Sequence, residues 1–142
     1  MTNIDEIDRA VGAHALWKSR LKMTIESGRI DMPVDSIRRD DQCDFGKWLR
    51  GKALSAGDKA TTDYRAVIDL HGQFHLTAAR VVELALSGRK AEAETMMILG
   101  GEYAVISARL DDAMLNWKRV SSATPAKPAP RARKPGPTRG RR

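Results

Sequence analysis

The stretch "DLHGQFHLTAA" places His71 and His75 four residues apart in a helical pattern. Residues at that spacing share one face of a helix, so both imidazoles can point at one centre. The chain has one further histidine, His14, and a single cysteine, Cys43. Taken singly, each has an ordinary reading. One histidine of an H-x-x-x-H pair is more often core and the other surface, a lone apolar-face histidine is more often a hydrogen-bonded core residue, and a lone cysteine is more often a small hydrophobe. Taken together they weigh differently. His14 and at least one of His71 and His75 fall on stripes that should face a core, and burying several imidazoles together is costly unless they are paired or bound to metal. Three imidazoles and one thiolate make a complete tetrahedral nitrogen and sulfur set for Zn²⁺.

The elements that must position these residues read as helices. Ile7, Val11, His14, Trp17, Leu21 and Ile25 recur at steps of three and four, predicting a helix over about Ile4–Ser27 that stops at Gly28. "GRIDMPVDSIRRDDQ" reads as a loop turning at Pro33. "CDFGKWLRG" brings Phe45, Trp48 and Leu49 to one side of a short helix, with Asp40 or Asp41 near its N-cap. After Asp58 the pattern is helical to about Ser87, with Val67, Leu70 or His71, Phe74, Ala78, Val81 and Ala85 on the buried face. A last helix, about Lys90 to Val120, carries Met96, Leu99, Tyr103, Ile106, Leu110, Met114 and Trp117. Its Gly100 and Gly101 cost about 1 kcal/mol each relative to Ala and suggest a kink or a close helix contact. No segment alternates like a strand. The expected fold is all-α: an antiparallel four-helix bundle with a short extra helix carrying Cys43.

Three motifs stand in order along this frame: "HALW" at His14–Trp17, "CDFGKWL" at Cys43–Leu49 and "HGQFH" at His71–His75. Together they resemble the chemoreceptor zinc-binding domain family, which is marked by H-x-x-W, C-x-F-G-K-W-L and H-x-x-F-H. The resemblance covers roughly residues 5–120. It implies a four-helix bundle holding one Zn²⁺ through His14, Cys43, His71 and His75. It also implies a homodimer and a signalling partner of the chemoreceptor or diguanylate cyclase type. The apolar stripes with Trp17 and Trp117 add weaker support for the dimer. Family members usually adjoin such an output domain, whereas this chain is expected to act as a stand-alone member.

Four protein ligands would close the zinc sphere, while a catalytic zinc keeps a position open for water. Gly72 stands where a metalloprotease H-E-x-x-H would carry its glutamate, and no phosphate loop or Ser/His/Asp set is evident. The expectation is therefore a sensory or regulatory protein rather than an enzyme, responding to zinc occupancy or to oxidation of the Cys43 thiolate.

The chain has 142 residues, enough for one domain, and a formal net charge of +7. From Ser121 onward it carries seven Lys/Arg and no acid, with five of the six prolines. The preceding 120 residues hold 18 basic and 18 acidic residues, so the folded part is neutral. The expected organisation is a zinc-binding bundle over 1–120 and a disordered basic tail over 121–142. That tail lacks aromatics for base stacking and suits at most weak, nonspecific contact with nucleic acid or an anionic membrane. The alternative to a sensor is thus a dimeric zinc-stapled scaffold whose tail binds such surfaces. One cysteine excludes an intrachain disulfide, no apolar run could span a bilayer, and the polar acidic start is unlike a secretory signal. A soluble cytoplasmic protein is expected.

Overall fold

The computed structural model describes residues 3–123. Seven helices follow in order: α1 (Asn3–Ser27), α2 (Val34–Arg38), α3 (Asp44–Arg50), α4 (Ala56–Lys59), α5 (Thr62–Leu86), α6 (Lys90–Met97) and α7 (Glu102–Ala123). Among the described residues there is no strand. None of these helices is long and apolar enough to cross a membrane.

The helix ends follow local chemistry. α1 opens with Asp5 and Glu6 in its first turn, where acidic groups complement the helix dipole. It closes at Gly28, whose φ of 71° lets its N–H return to the Thr24 carbonyl at 2.7 Å. Ser55 and Asp58 form a capping box on α4, and the Thr61 hydroxyl accepts from the Tyr64 amide to start α5.

The bundle is built on α1, α5 and α7, with α6 packed against all three. α7 runs antiparallel to both long partners. Near its C-terminal end Asn116 donates to Asp63 at the start of α5 (2.9 Å), and Lys118 pairs with Asp8 at the start of α1 (2.7 Å). At its other end Tyr103 packs on Phe74 in the middle of α5. α1 and α5 therefore run in the same sense, which requires the long connection that holds α2, α3 and α4. The core is continuous between them, from Ile7 and Leu21 through Val67, Phe74 and Val81 to Leu110 and Met114.

Three expectations are corrected. The final helix is not continuous from Lys90 to Val120. It breaks after Met97 at a turn centred on Gly100, whose φ is 86°, and a Cβ on Gly101 would lie 2.3 Å from the Thr95 carbonyl oxygen. The break takes Leu99 out of the buried stripe and leaves it fully exposed. Second, part of the stretch expected to be a loop folds as α2, which buries Ile37 against α5. Third, the N-cap of α3 is Cys43 itself rather than an aspartate. α7 also continues through Ser121 to Ala123. The rest of the basic tail, for which disorder was expected, lies outside the described residues. Trp117 is buried within the chain against Trp48 and Tyr64, so it lends no support to a dimer surface.

Candidate metal centre

All three histidines are buried, at 4% (His14), 1% (His71) and 3% (His75) exposure. His71 and His75 stand one turn apart on α5, and their Nε2 atoms approach to 3.1 Å. His75 is oriented from behind. Its Nδ1 lies 2.8 Å from the Ile37 carbonyl oxygen, which can only accept, so Nδ1 carries the proton and Nε2 presents a lone pair. His14 comes from the middle of α1, walled by Phe74 (ring centroids 4.7 Å apart) and by the edge-on ring of Phe45 (5.9 Å).

Cys43 reaches the same point from the third side. Its Sγ lies 3.4 Å from His71 Nε2 and 3.5 Å from His75 Nε2. As N-cap of α3 it accepts the Gly46 amide proton at 3.3 Å, which leaves the sulfur at a helix N-terminus. Gly46 makes this possible, because a Cβ there would fall 1.7 Å from the Asp40 carbonyl oxygen. Phe45 stacks on Trp48 and meets the His71 ring edge-on at 5.2 Å, seating α3 over the histidines.

The distances fit a metal. A tetrahedral zinc with bonds of about 2.0–2.1 Å to nitrogen and 2.3 Å to sulfur has N···N edges of about 3.3 Å and N···S edges of about 3.6 Å. The three edges among Cys43, His71 and His75 approximate these values. A ring nitrogen of His14 completes a set of three imidazoles whose ligand atoms all lie within 4.8 Å of one another. His14 Nδ1 is also buried with no hydrogen-bond partner. A buried polar atom without a partner is costly, and imidazoles crowded this closely need an ion or a shared proton to hold them.

Burial sets the protonation of the site. It lowers His14 to about 4, with His75 adding to the effect. It lowers His71 to about 2, helped by His75, His14 and Arg50. His75 also falls by burial, opposed by the Ile37 carbonyl and the Asp40 carboxylate. Burial raises the Cys43 thiol against the helix-end amides that favour its thiolate. The metal-free centre is thus three neutral imidazoles and a thiol. Only the sulfur must release a proton for a cation to bind.

A cleft of about 430 Å³ opens between α1 and α3 and is lined by Glu6, Arg9, Trp17 and Trp48, with His14 and Cys43 also on its wall. It connects the centre with the surface. The structure thus brings His14, Cys43, His71 and His75 together, the four residues singled out in the sequence. What the sequence did not reveal is the supporting shell: the Ile37 carbonyl behind His75 and the Asp40 carboxylate beside α5. Pro33 followed by Val34 and Ile37 at i, i+3 was a usable signal for α2, but no sequence pattern marks a backbone carbonyl.

The fold and site define a helical bundle with three buried histidines gathered beside one half-buried cysteine, a set that could hold a metal. Residues 14–82 match the family described as the chemoreceptor zinc-binding domain. No curated protein and no solved structure matches the chain. The match starts at His14 and extends past His75, so it contains all four candidate ligands, and the family's metal is zinc.

Proposed function

We propose that this domain is a zinc-dependent sensory module in which His14, Cys43, His71 and His75 hold one Zn²⁺. The spacing of Cys43 Sγ, His71 Nε2 and His75 Nε2 on tetrahedral edges is the observation that carries the reading. Bound zinc would supply a fixed positive centre, formally +1 with three neutral imidazoles and one thiolate. The residues of the chain do the rest. Ile37 aims His75, Gly46 and the α3 amides hold the sulfur, and Phe45 and Phe74 limit solvent. Loss of zinc, or oxidation of the sulfur, would remove the tie between α3 and α5, and a signalling partner would read the change. The reading includes no catalysis, since four protein ligands leave no open position on the metal. It places the protein in the cytoplasm, with a chemoreceptor or diguanylate cyclase as the type of partner. The support is the family's chemoreceptor association and the lack of a membrane-spanning helix among the described residues.

Metal analysis tests the site. Purified protein should carry one zinc per chain, and alanine at each of His14, Cys43, His71 and His75 should weaken binding. Full, tight zinc in any two of those variants would reject the four-ligand centre. We further propose a homodimer, with Leu16 and Met23 as candidate contacts because they lie two turns apart on the exposed face of α1. Light scattering at micromolar concentration should give twice the chain mass with zinc bound, and a monomer mass would reject it.

A further inference from the structure

We propose that Asp40 is the positioning residue that locks the Cys43 segment onto the histidine-bearing helix. Four contacts converge on this one residue, from α5 and from α3 with its capping cysteine. Both carboxylate oxygens meet the same guanidinium nitrogen of Arg50 on α3, at 3.2 and 3.1 Å. The carboxylate lies against α5 at Gly72, where a Cβ would come 3.1 Å from Oδ2, a tight approach that glycine relieves. Its carbonyl sits over Gly46, where an added Cβ would collide with it at 1.7 Å. The same carbonyl oxygen faces Cys43 Sγ at 4.0 Å.

Asp40 is therefore wedged between the helix capped by the cysteine and the helix that carries two histidines, with Gly72 lying directly after His71 in the chain. Its carboxylate is 23% exposed, and that of the neighbouring Asp41, paired with Arg39, is 41% exposed. The Arg39–Asp41 pair joins residues two apart in one loop and cannot tie two helices together. Removing the Asp40 charge should free the Cys43 segment while leaving His14, His71 and His75 on their long helices. Its consequence for metal retention rests on the zinc reading above, but its effect on the segment does not.

Cys43 is the only thiol, so N-ethylmaleimide labelling reads this segment alone. Rates would be compared for the wild type, Asp40→Asn, Arg50→Gln, the double variant and the control Asp41→Asn, each with and without zinc. Part-exposed ion pairs and neighbouring couplings of this kind are worth roughly threefold to tenfold in an opening equilibrium. Asp40→Asn and Arg50→Gln should each label about that much faster in zinc-free protein. The double variant should add little to either, and Asp41→Asn should match the wild type. Hydrogen exchange in Asp40→Asn should rise only across residues 40–51. Wild-type labelling rates in zinc-free Asp40→Asn, or exchange rising along all helices, would overturn the proposal. Wild-type Cys43 labelling equally fast with and without zinc would instead reject the cysteine as a metal ligand, and the zinc-free comparison would still judge Asp40.

Discussion

At the scale of single residues, two glycines near the centre make opposite predictions. Gly46 is buried under the Asp40 backbone, where a methyl group would overlap a carbonyl oxygen. Gly46→Ala must push α3 away from the loop and carry the Cys43 sulfur with it. Overpacking of this kind costs about 1–3 kcal/mol, and it should also lower zinc affinity. Gly12, two residues before His14, is exposed in the middle of α1, and a methyl group added there would meet nothing within 4 Å. Gly12→Ala should therefore raise stability by about 0.5–1 kcal/mol and leave zinc binding intact. Urea melts with metal analysis on both variants check the pair. The four candidate ligands were legible because they are the whole histidine and cysteine complement and three of them fell on or near apolar stripes. Asp40 was not. The sequence offered it only as an acid near the N-cap of the Cys43 helix, since its contacts with Arg50 and Gly72 are ones that only the folded chain creates.

At the scale of elements, α3 is the short piece capped by a candidate ligand. It has seven residues, against 25 in each of α1 and α5. Phe45 and Leu49 anchor it in the core, and the Tyr64 hydroxyl donates to the Leu49 carbonyl at 2.8 Å. Lys59 caps the following turn through the Gly51 carbonyl. Apart from Phe45, these anchors lie at the C-terminal end of α3, and in the proposed reading the Cys43 end relies on Phe45, the Asp40 contacts and bound zinc. Chelation should therefore raise hydrogen exchange mainly across residues 40–51, and most strongly toward residue 43. Uniform loss of protection over α1, α5 and α7 would contradict this. The sequence showed α1 and α5 nearly to their ends because long apolar stripes and clear end signals agree there. It suggested a kink or close contact at Gly100 and Gly101 but not the full division of α6 from α7, because the stripe runs through the two glycines in apparent register. A left-handed glycine interrupts a helix without altering the spacing of the residues around it.

At the scale of the whole molecule, the question is whether zinc makes the fold or only tunes it. The core extends well away from the centre, through Leu21, Ile25, Val81, Val82 and Ala85 to Ala93 and Met97. The antiparallel contacts of α7 with α1 and α5 contain no candidate ligand. Most of the buried apolar surface therefore forms without help from the metal, and burial at about 25 cal/mol per Å² supplies the main stabilisation. A ligand that binds only the folded state adds to this by mass action, about 2.7 kcal/mol at a hundredfold excess over its dissociation constant. For a domain of this size that corresponds to a shift in Tm on the order of 10 °C. The zinc-free protein should accordingly keep its far-ultraviolet helical signal at 25 °C and still melt cooperatively, at a Tm lower by about that amount. Circular dichroism melts with zinc and with a chelator measure both quantities. Collapse of the helical signal on chelation would mean that the metal is a staple for the entire bundle, leaving no folded zinc-free state for a partner to recognise.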